Sequence, residues 1–360
     1  MTYKLCILRL SSIGDVCHLA AVVKVIQEQK PKIEITWIIG KAEYALLKGM
    51  KNIEFIVFDK TTGLKAYQKL RNFLKERQFD NLFHMQRAFR TSIANLCIKS
   101  KIKTGWDRER AREGQWLFNN RKVEAQKHPH VIDGFFAFAQ TIGIKRHKQL
   151  SWDIPIPTKD LEWAQKQLGK NDKEHLSATD TPKTLVINAA ASDNIRNWSI
   201  ESYGEIAKSM MKEHDWNVVL TGGPSSNETE LADKINKYCN NKLLNLTGKT
   251  SLKQLLAVIK LADIILAPDT GPLHMAATVG TKAVGLYAHS NPKRTGPILW
   301  NKKKSALVVS IYEEQIIKEY GKPSSKLKWG KRARSKTAMN EISVDEVWAA
   351  IKTLSEHMLY

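Results

Sequence analysis

The sequence is poor in most of the features that would name a chemistry outright. Four cysteines, Cys6, Cys17, Cys97 and Cys239, are scattered over 360 residues without a C-x-x-C spacing, which argues against a disulfide framework and against a cysteine-built metal site. Cys6 sits inside an apolar run that reads as a buried strand, so all four are expected to be reduced thiols of a cytosolic protein. No apolar run approaches the ~20 residues of a membrane span, and the first residues enter a short strand-like stretch instead of the long apolar core of a secretion signal. A chain of this kind is expected to touch a membrane without crossing it. Neither G-x-G-x-x-G nor G-x-x-x-x-G-K-[ST] occurs, so the dinucleotide and P-loop readings lose support. With no D-x-D pair and no histidine cluster at ligand spacing, no metal site is expected. An obligatory cofactor is not expected either, and Mg²⁺ is allowed as an activator.

Acidic residues are scarce as well. There are 36 Asp and Glu against 57 Lys and Arg, a formal charge of +21. The imbalance is concentrated: residues 1–150 hold 28 basic and 13 acidic side chains (+15), residues 151–360 hold 29 and 23 (+6). The first half is therefore expected to meet an anionic partner, be it nucleic acid, acidic polysaccharide, phosphorylated glycolipid or membrane surface. Arginines interleaved with aromatics would suit nucleic acid, but no RNP-like, KH-like or finger pattern accompanies them, and nucleic acid is not the expected partner.

What the sequence does have is rhythm. Strand-like runs at 4–10, 33–39, 53–58 and 80–85 alternate with helical periods at 17–29, 42–49, 64–77 and 89–99, the pattern of a parallel sheet wrapped by helices. Gly105 to Lys148 departs from it, packing Arg108, Arg110, Arg112, Arg121, Lys122, Lys127 and His128 among Trp106, Trp116 and Phe118, and reads as a cleft-lining insertion. Pro155 and Pro157, one polar helix-like stretch and the polar run from Asn171 to Pro182 suggest a linker. The rhythm then restarts, with strands at 184–190, 216–222, 243–246, 264–268 and 283–287 and helices at 200–214, 228–239 and 252–261. Ser343 and Glu346 form a capping box for a terminal helix. At this length two domains are expected: residues 1–155 and 183–342, joined by 156–182 and followed by the helix 343–360. Two such α/β units facing each other would place ligands at the carboxyl ends of their strands.

Three segments could carry chemistry, each a strand end running into a helix. In the first, Ser11-Ser12-Ile13-Gly14-Asp15-Val16, Asp15 would sit ionised at a helix N-terminus, able to take a proton from a hydroxyl. The same residues also suit a plain cap and turn. In the second, Ala190 to Ser199, Ser192 and Arg196 could bind a phosphate. In the third, Pro268-Asp269-Thr270-Gly271-Pro272-Leu273-His274, the N–H groups at Thr270 and Gly271 offer a diphosphate site; Asp269 and His274 could bond sugar hydroxyls.

Together, and with Gly285-Leu286-Tyr287, Asn291-Pro292 and Thr295-Gly296-Pro297, these segments resemble the ADP-heptose:lipopolysaccharide heptosyltransferase family from about residue 4 to residue 298. Gly105-Trp106-Asp107, Ala111-Arg112-Glu113, Phe118 to Lys122 and His130 are similar to the acceptor side of its heptosyltransferase I branch. The resemblance implies two facing Rossmann-like domains (the α/β arrangement called GT-B) with the active site between them. It also implies inverting transfer of heptose from ADP-heptose to the Kdo of a Kdo–lipid A acceptor, at the cytoplasmic face of the inner membrane. By that resemblance Asp15 is the base; Ser192, Arg196, Asp269, Thr270, Gly271, His274 and either Glu228 or Glu230 bind the donor. Ser12, Gly14, Arg87, Arg90, Arg108, Arg112, Arg121 and Lys122 are expected on the acceptor side, and the basic run Lys326 to Arg334 is either a leaflet contact or a flexible loop. Arg196 replaces a lysine common in the family and Ala191 one of two neighbouring threonines, which leaves room for another nucleotide sugar or a later core acceptor.

Overall fold

The first strand, β1 (Lys4–Leu8), is buried at every position but its first, as a strand covered on both faces must be. The computed structural model describes residues 2–126, 128–170, 182–298 and 306–356. The polar run 171–181 and Lys127 lie outside the described residues. The chain divides into two units, Met1–Pro155 and Ile156–Tyr360.

In the first unit β1 is followed by α1 (Ile13–Gln29), β2 (Glu34–Gly40), α2 (Lys41–Leu47), β3 (Ile53–Phe58) and α3 (Leu64–Leu74). Then come β4 (Phe79–His84), α4 (Phe89–Leu96), β5 (Ser100–Gly105), β6 (Arg121–Lys122) and α5 (Val131–Gln140). The strands form one sheet in the order β3-β2-β1-β4-β5-β6, every pair parallel. The segment expected as an insertion is instead built into the unit. β6 pairs with the end of β5, Gly105 opposite Lys122, and the apolar α5 packs on α1. A run of arginines and aromatics masked these elements, because β6 is only two residues long and both are exposed and basic.

The second unit contains α6 (Thr158–Gln167), β7 (Thr184–Asn188), α7 (Ile200–His214), β8 (Asn217–Thr221), α8 (Ser226–Tyr238), β9 (Leu244–Asn245) and α9 (Leu252–Leu261). It continues through β10 (Ile264–Pro268), α10 (Gly271–Val279), β11 (Lys282–Tyr287), α11 (Pro292–Thr295), β12 (Ala306–Ser310), α12 (Tyr312–Tyr320) and α13 (Val344–Glu356). Its parallel sheet runs β12-β11-β10-β7-β8-β9. The polar helix expected between the domains is α6, and it packs on α9. The terminal helix α13 opens on the expected capping box: Ser343 N–H donates to Glu346 Oε2 at 3.2 Å, and Glu346 N–H to Ser343 Oγ at 3.2 Å. It buries Val347, Ile351 and Leu354 in the core of β7, β10 and β11, about 1.5–3 kcal/mol for each aliphatic side chain. Trp198, also buried, ties the loop after β7 to this region by an indole N–H bond to the Ile342 carbonyl at 3.1 Å.

Candidate active site

Both sheets reverse their strand order at one place, the first between β1 and β4, the second between β7 and β10. The loops leaving such a pair of strands diverge to opposite faces of the sheet and open a crevice at their carboxyl ends. Ser11 to Asp15 follows β1; Ser192 to Arg196 follows β7; Asp269 to His274 follows β10. The three segments singled out in the sequence are thus the loops of the two crevices, one in each unit.

In the first crevice β1 ends where a side chain takes over its ladder. Arg9 N–H still reaches the Ile38 carbonyl at 3.2 Å, but the N–H groups of Leu10 and Ser11 donate to Gln86 Oε1 at 3.1 and 3.2 Å. Gly40 closes the other side: its N–H donates to the Leu10 carbonyl at 3.0 Å, and a Cβ there would lie 2.4 Å from that oxygen, so only glycine fits. The turn delivers Asp15 to the third position of α1, where Oδ2 accepts from the Ser12 N–H at 3.3 Å and the Ser12 hydroxyl at 3.0 Å. Oδ2 also pairs with Arg9 Nη2. Arg9, itself buried, donates from Nη1 to the Met85 carbonyl at 2.8 Å and lies over the Phe135 ring.

Asp15 therefore caps its helix with one oxygen while the other, Oδ1, accepts nothing among the described residues. The side chain is a quarter exposed. Burial would raise its pKa, but the Arg9 guanidinium and the bonds from Ser12 outweigh that and hold it below the ordinary carboxylate value. Sequence reasoning missed the roles of Arg9, which lies near the end of the expected strand 4–10, and of Gln86, which follows the expected strand 80–85. Gly14 is buried and Ser12 exposed. His18 is buried with its ring edge-on to His130 at 5.2 Å.

Of the basic residues expected on the acceptor side, Arg90, Arg108, Arg112, Arg121 and Lys122 are exposed and Arg87 half-buried. Arg110, which the sequence grouped with them, is not available to a ligand. It is buried, ion-paired with Asp107, bonded to the Glu124 carbonyl at 2.7 Å and stacked on Trp106.

The second crevice gathers residues far apart in sequence. Arg196 Nη1 donates to the Asp269 carbonyl at 2.6 Å and Nη2 to Ser192 Oγ at 2.8 Å. Asp269 Oδ2 accepts from the Ser290 hydroxyl and its Oδ1 lies 3.6 Å from His274 Nε2. Burial pushes the Asp269 carboxyl up, but His274, Ser290 and Arg196 bring it down to about 2. Asp269 is thus committed to holding three loops together. Thr270 bonds back to the Pro268 carbonyl at 3.2 Å and does not cap α10 with its side chain, so the helix N-terminus keeps its free N–H groups. Next along the sheet, after β8, Glu228 accepts from the Gly223 N–H at 2.6 Å, whereas Glu230 is exposed and paired with Lys234 at 2.6 Å.

The Asp269 pKa carries a stability prediction. Because it lies below the usual carboxylate value, its contribution is present above that value and is lost as pH falls toward about 2. Between pH 5 and pH 2, urea unfolding of the wild type should lose about 2 kcal/mol more stability than that of Asp269→Asn; equal losses would remove the carboxylate from this role.

The basic run Lys326 to Arg334 lies beside the second crevice. Its backbone is stitched beside β11, Ala333 N–H to the His289 carbonyl at 3.1 Å, with His289 Nε2 2.7 Å from the Ser335 carbonyl. His289 precedes Ser290, so the strap brings Arg332 next to the Asp269 cluster. Arg332 is exposed and, with burial as the larger cause and Asp269 opposing, helps pull the Arg196 pKa down. Two guanidinium groups near enough to repel each other would favour an anion beside them. Trp329 lies under Arg294 at 4.8 Å. Nothing in the sequence pattern places Arg332 beside Asp269.

Among the described residues no three His, Cys, Asp or Glu side chains gather as a metal site, no helix is long and apolar enough to cross a membrane, and the four cysteines are unpaired. A groove of about 990 Å³ lies at the amino edge of the first sheet, lined by Lys4, Lys32, Glu34, Glu54 and Arg77, away from the crevice and its loops.

Comparison with known proteins agrees with this geometry. The pattern of glycosyltransferase family 9 (heptosyltransferase) matches residues 67–329. The chain is 44% identical over 350 residues to the lipopolysaccharide core heptosyltransferase OpsX of Haemophilus influenzae, covering 97% of this chain and 96% of that protein. A family 9 glycosyl transferase from Veillonella parvula shares the fold with a TM-score of 0.79 at 21% identity, covering 98% and 97% of the two chains. Escherichia coli heptosyltransferase WaaC with ADP does so at 0.72 and 19% identity, covering 98% and 99%. The chain belongs to glycosyltransferase family 9 and is a heptosyltransferase of lipopolysaccharide core biosynthesis.

Proposed function

We propose that this heptosyltransferase moves heptose from ADP-heptose to the Kdo of a Kdo–lipid A acceptor, with inversion, working as a peripheral protein at the cytoplasmic face of the inner membrane. The observation that carries the reading is Asp15: an ionised carboxylate with one oxygen fixed by Ser12 and Arg9 and the other free, at the carboxyl edge of a basic unit. Oδ1 takes the proton from the acceptor hydroxyl as its oxygen attacks the anomeric carbon. The bond from that carbon to the diphosphate breaks, the electron pair leaves with ADP, and a single in-line displacement inverts the centre.

On the donor side the leaving diphosphate meets Arg196, Ser192 and the N–H groups at Thr270 and Gly271, preorganised for the charge that develops there. The related heptosyltransferase WaaC of E. coli has been solved with ADP, which supports a nucleoside-diphosphate ligand for the same loops. Glu228, set beside Gly222 and Gly223, is the better placed of the two acids for a ribose hydroxyl, since Glu230 is engaged with Lys234. Asp269 holds His274 toward the sugar, and Arg332 adds a second cation to the diphosphate. Mg²⁺ acts at most as an activator in this scheme. The exposed Arg90, Arg108, Arg112, Arg121 and Lys122, with Arg87, meet the phosphates and carboxylates of the acceptor.

The test is transfer from ADP-heptose to purified Kdo–lipid A, read by product mass and by the anomeric configuration of the new bond. One added heptose with inverted configuration is expected. Tight ADP binding without transfer would reject this acceptor, and retained configuration would reject the single displacement; UDP competing as well as ADP would reject the donor.

A further inference from the structure

Helix α4 is built inside out. Its buried face carries Thr91, Ser92 and Asn95 along with Ala94, and Thr91 and Asn95 are drawn into a network. Thr91 Oγ1 donates to the Ala88 carbonyl; Asn95 Nδ2 donates to the Phe118 carbonyl at 3.1 Å and lies 3.0 Å from His84 Nδ1. The outward face is apolar: Phe89 is 52% exposed, Ile93 36% and Leu96 66%, at spacings of four and three residues that align them in one stripe. Helices on a soluble domain have the opposite polarity.

The 3-10 turn Gln115–Phe118 extends this stripe. It packs beside α4, the Phe118 ring meets that of Phe89 edge-on at 6.4 Å, and it presents Trp116 and Leu117 at 47% and 68% exposure. Scattered apolar residues on a surface are ordinary, but five large ones joined across two elements mark a binding face.

The segment that carries the stripe is cationic. Between Arg87 and Lys122 the sequence has ten basic and three acidic residues; Arg110 is buried, but Arg90, Arg108, Arg112, Arg121 and Lys122 are exposed. Two of the acids are occupied, Asp107 by buried Arg110 and Glu113 by the Phe89 N–H. Exposed aromatic and aliphatic groups on a segment rich in exposed arginines match the headgroup boundary of an anionic bilayer, where the apolar groups enter the acyl region and the guanidinium groups meet phosphates. A second copy of the same face would bring like charge against like charge. We propose that α4 and the turn Gln115–Phe118 form the face that docks the enzyme on an anionic leaflet, next to the residues expected to receive the acceptor; this rests on the reading of the acceptor as a membrane-borne glycolipid.

The experiment is flotation with vesicles of phosphatidylcholine alone or mixed with phosphatidylglycerol. Wild type should bind the anionic vesicles, more weakly at high salt, and leave the neutral ones. Leu96→Ser/Leu117→Ser should weaken that binding about tenfold or more, with an unchanged melting temperature because both side chains are exposed. Arg90→Glu/Arg112→Glu should weaken it comparably. The leucine variant should also keep wild-type transfer to a deacylated, soluble Kdo acceptor while losing transfer to vesicle-borne acceptor. No binding by wild type, or equal binding by both variants, overturns the proposal. A concentration-dependent dimer abolished by the leucine substitutions would assign the face to a second copy and overturn it too. Vesicle binding without any heptose transfer would sink the acceptor reading and leave the docking face standing.

Discussion

Asp15→Asn is expected to lower turnover by about 10²–10⁴-fold, the contribution of a positioned general base, while leaving ADP binding near the wild-type level. Asparagine keeps an acceptor oxygen for the Ser12 N–H and hydroxyl, which hold the carboxylate at 3.3 and 3.0 Å, so the turn survives. It removes the charge opposite Arg9 and the basic Oδ1. If ADP is held by the other unit, as proposed, it is indifferent to the change. Turnover by mass spectrometry and ADP affinity by calorimetry separate the two effects; a variant that transfers at more than a tenth of the wild-type rate would move the base elsewhere.

Arg9 sharpens the same argument through pH. Burial works to raise the Asp15 pKa and Arg9 is the chief force that lowers it. The acid limb of kcat/KM should therefore lie below the ordinary carboxylate value in the wild type and move upward in Arg9→Ala. The direction follows from the sign: removing a cation disfavours the ionised form that accepts the proton. An unmoved limb in Arg9→Ala would mean that another group titrates. The variant also removes one of the two donors to the Met85 carbonyl, which keeps the Trp106 indole N–H, so its stability should fall by about 1 kcal/mol, measurable in the same preparations.

How much of this was legible in the sequence depends on the range of the interactions. Helices α7 and α9 begin and end where their periodicity places them, because Ser199 and Ser251 cap them locally with side-chain bonds to the N–H groups of Ser202 and Gln254. β1 reads as 4–10 but stops at Leu8, because Gln86, 76 residues from Leu10, replaces its partner strand. α4 shows a helical period, yet no pattern reveals that its polar side faces inward, since that depends on His84 and Asn119 from other elements. The segments of the two crevices are legible because each combines a strand end, a turn and a helix start within ten residues. The contacts that complete them are not: Arg196 reaches Asp269 across 73 residues, and Arg332 arrives on a strap whose composition suggested only solubility or a leaflet.

Arg196→Ala is the second large effect, a loss of about 10²–10³-fold in kcat/KM with weakened ADP binding. Two of the five guanidinium donors are spent on fixing the group, at the Asp269 carbonyl and Ser192 Oγ; Nε has no partner among the described residues. The fork is thus pinned along one edge, and the N–H groups left over are available to a diphosphate without further loss of side-chain freedom. Lysine restores the charge but not the fork, so Arg196→Lys should recover ADP binding in part and transfer less, a split between KM and kcat that a purely structural role would not produce. Arg332 supplies the control. If both cations bind the same anion, the loss in Arg196→Ala/Arg332→Ala should differ from the sum of the single losses, as contacting groups do, and the salt dependence of ADP binding should flatten in the order wild type, single variants, double variant. Additive losses with an unchanged salt slope would place the diphosphate against α10 alone and leave Arg196 as a brace for the loop that carries Asp269.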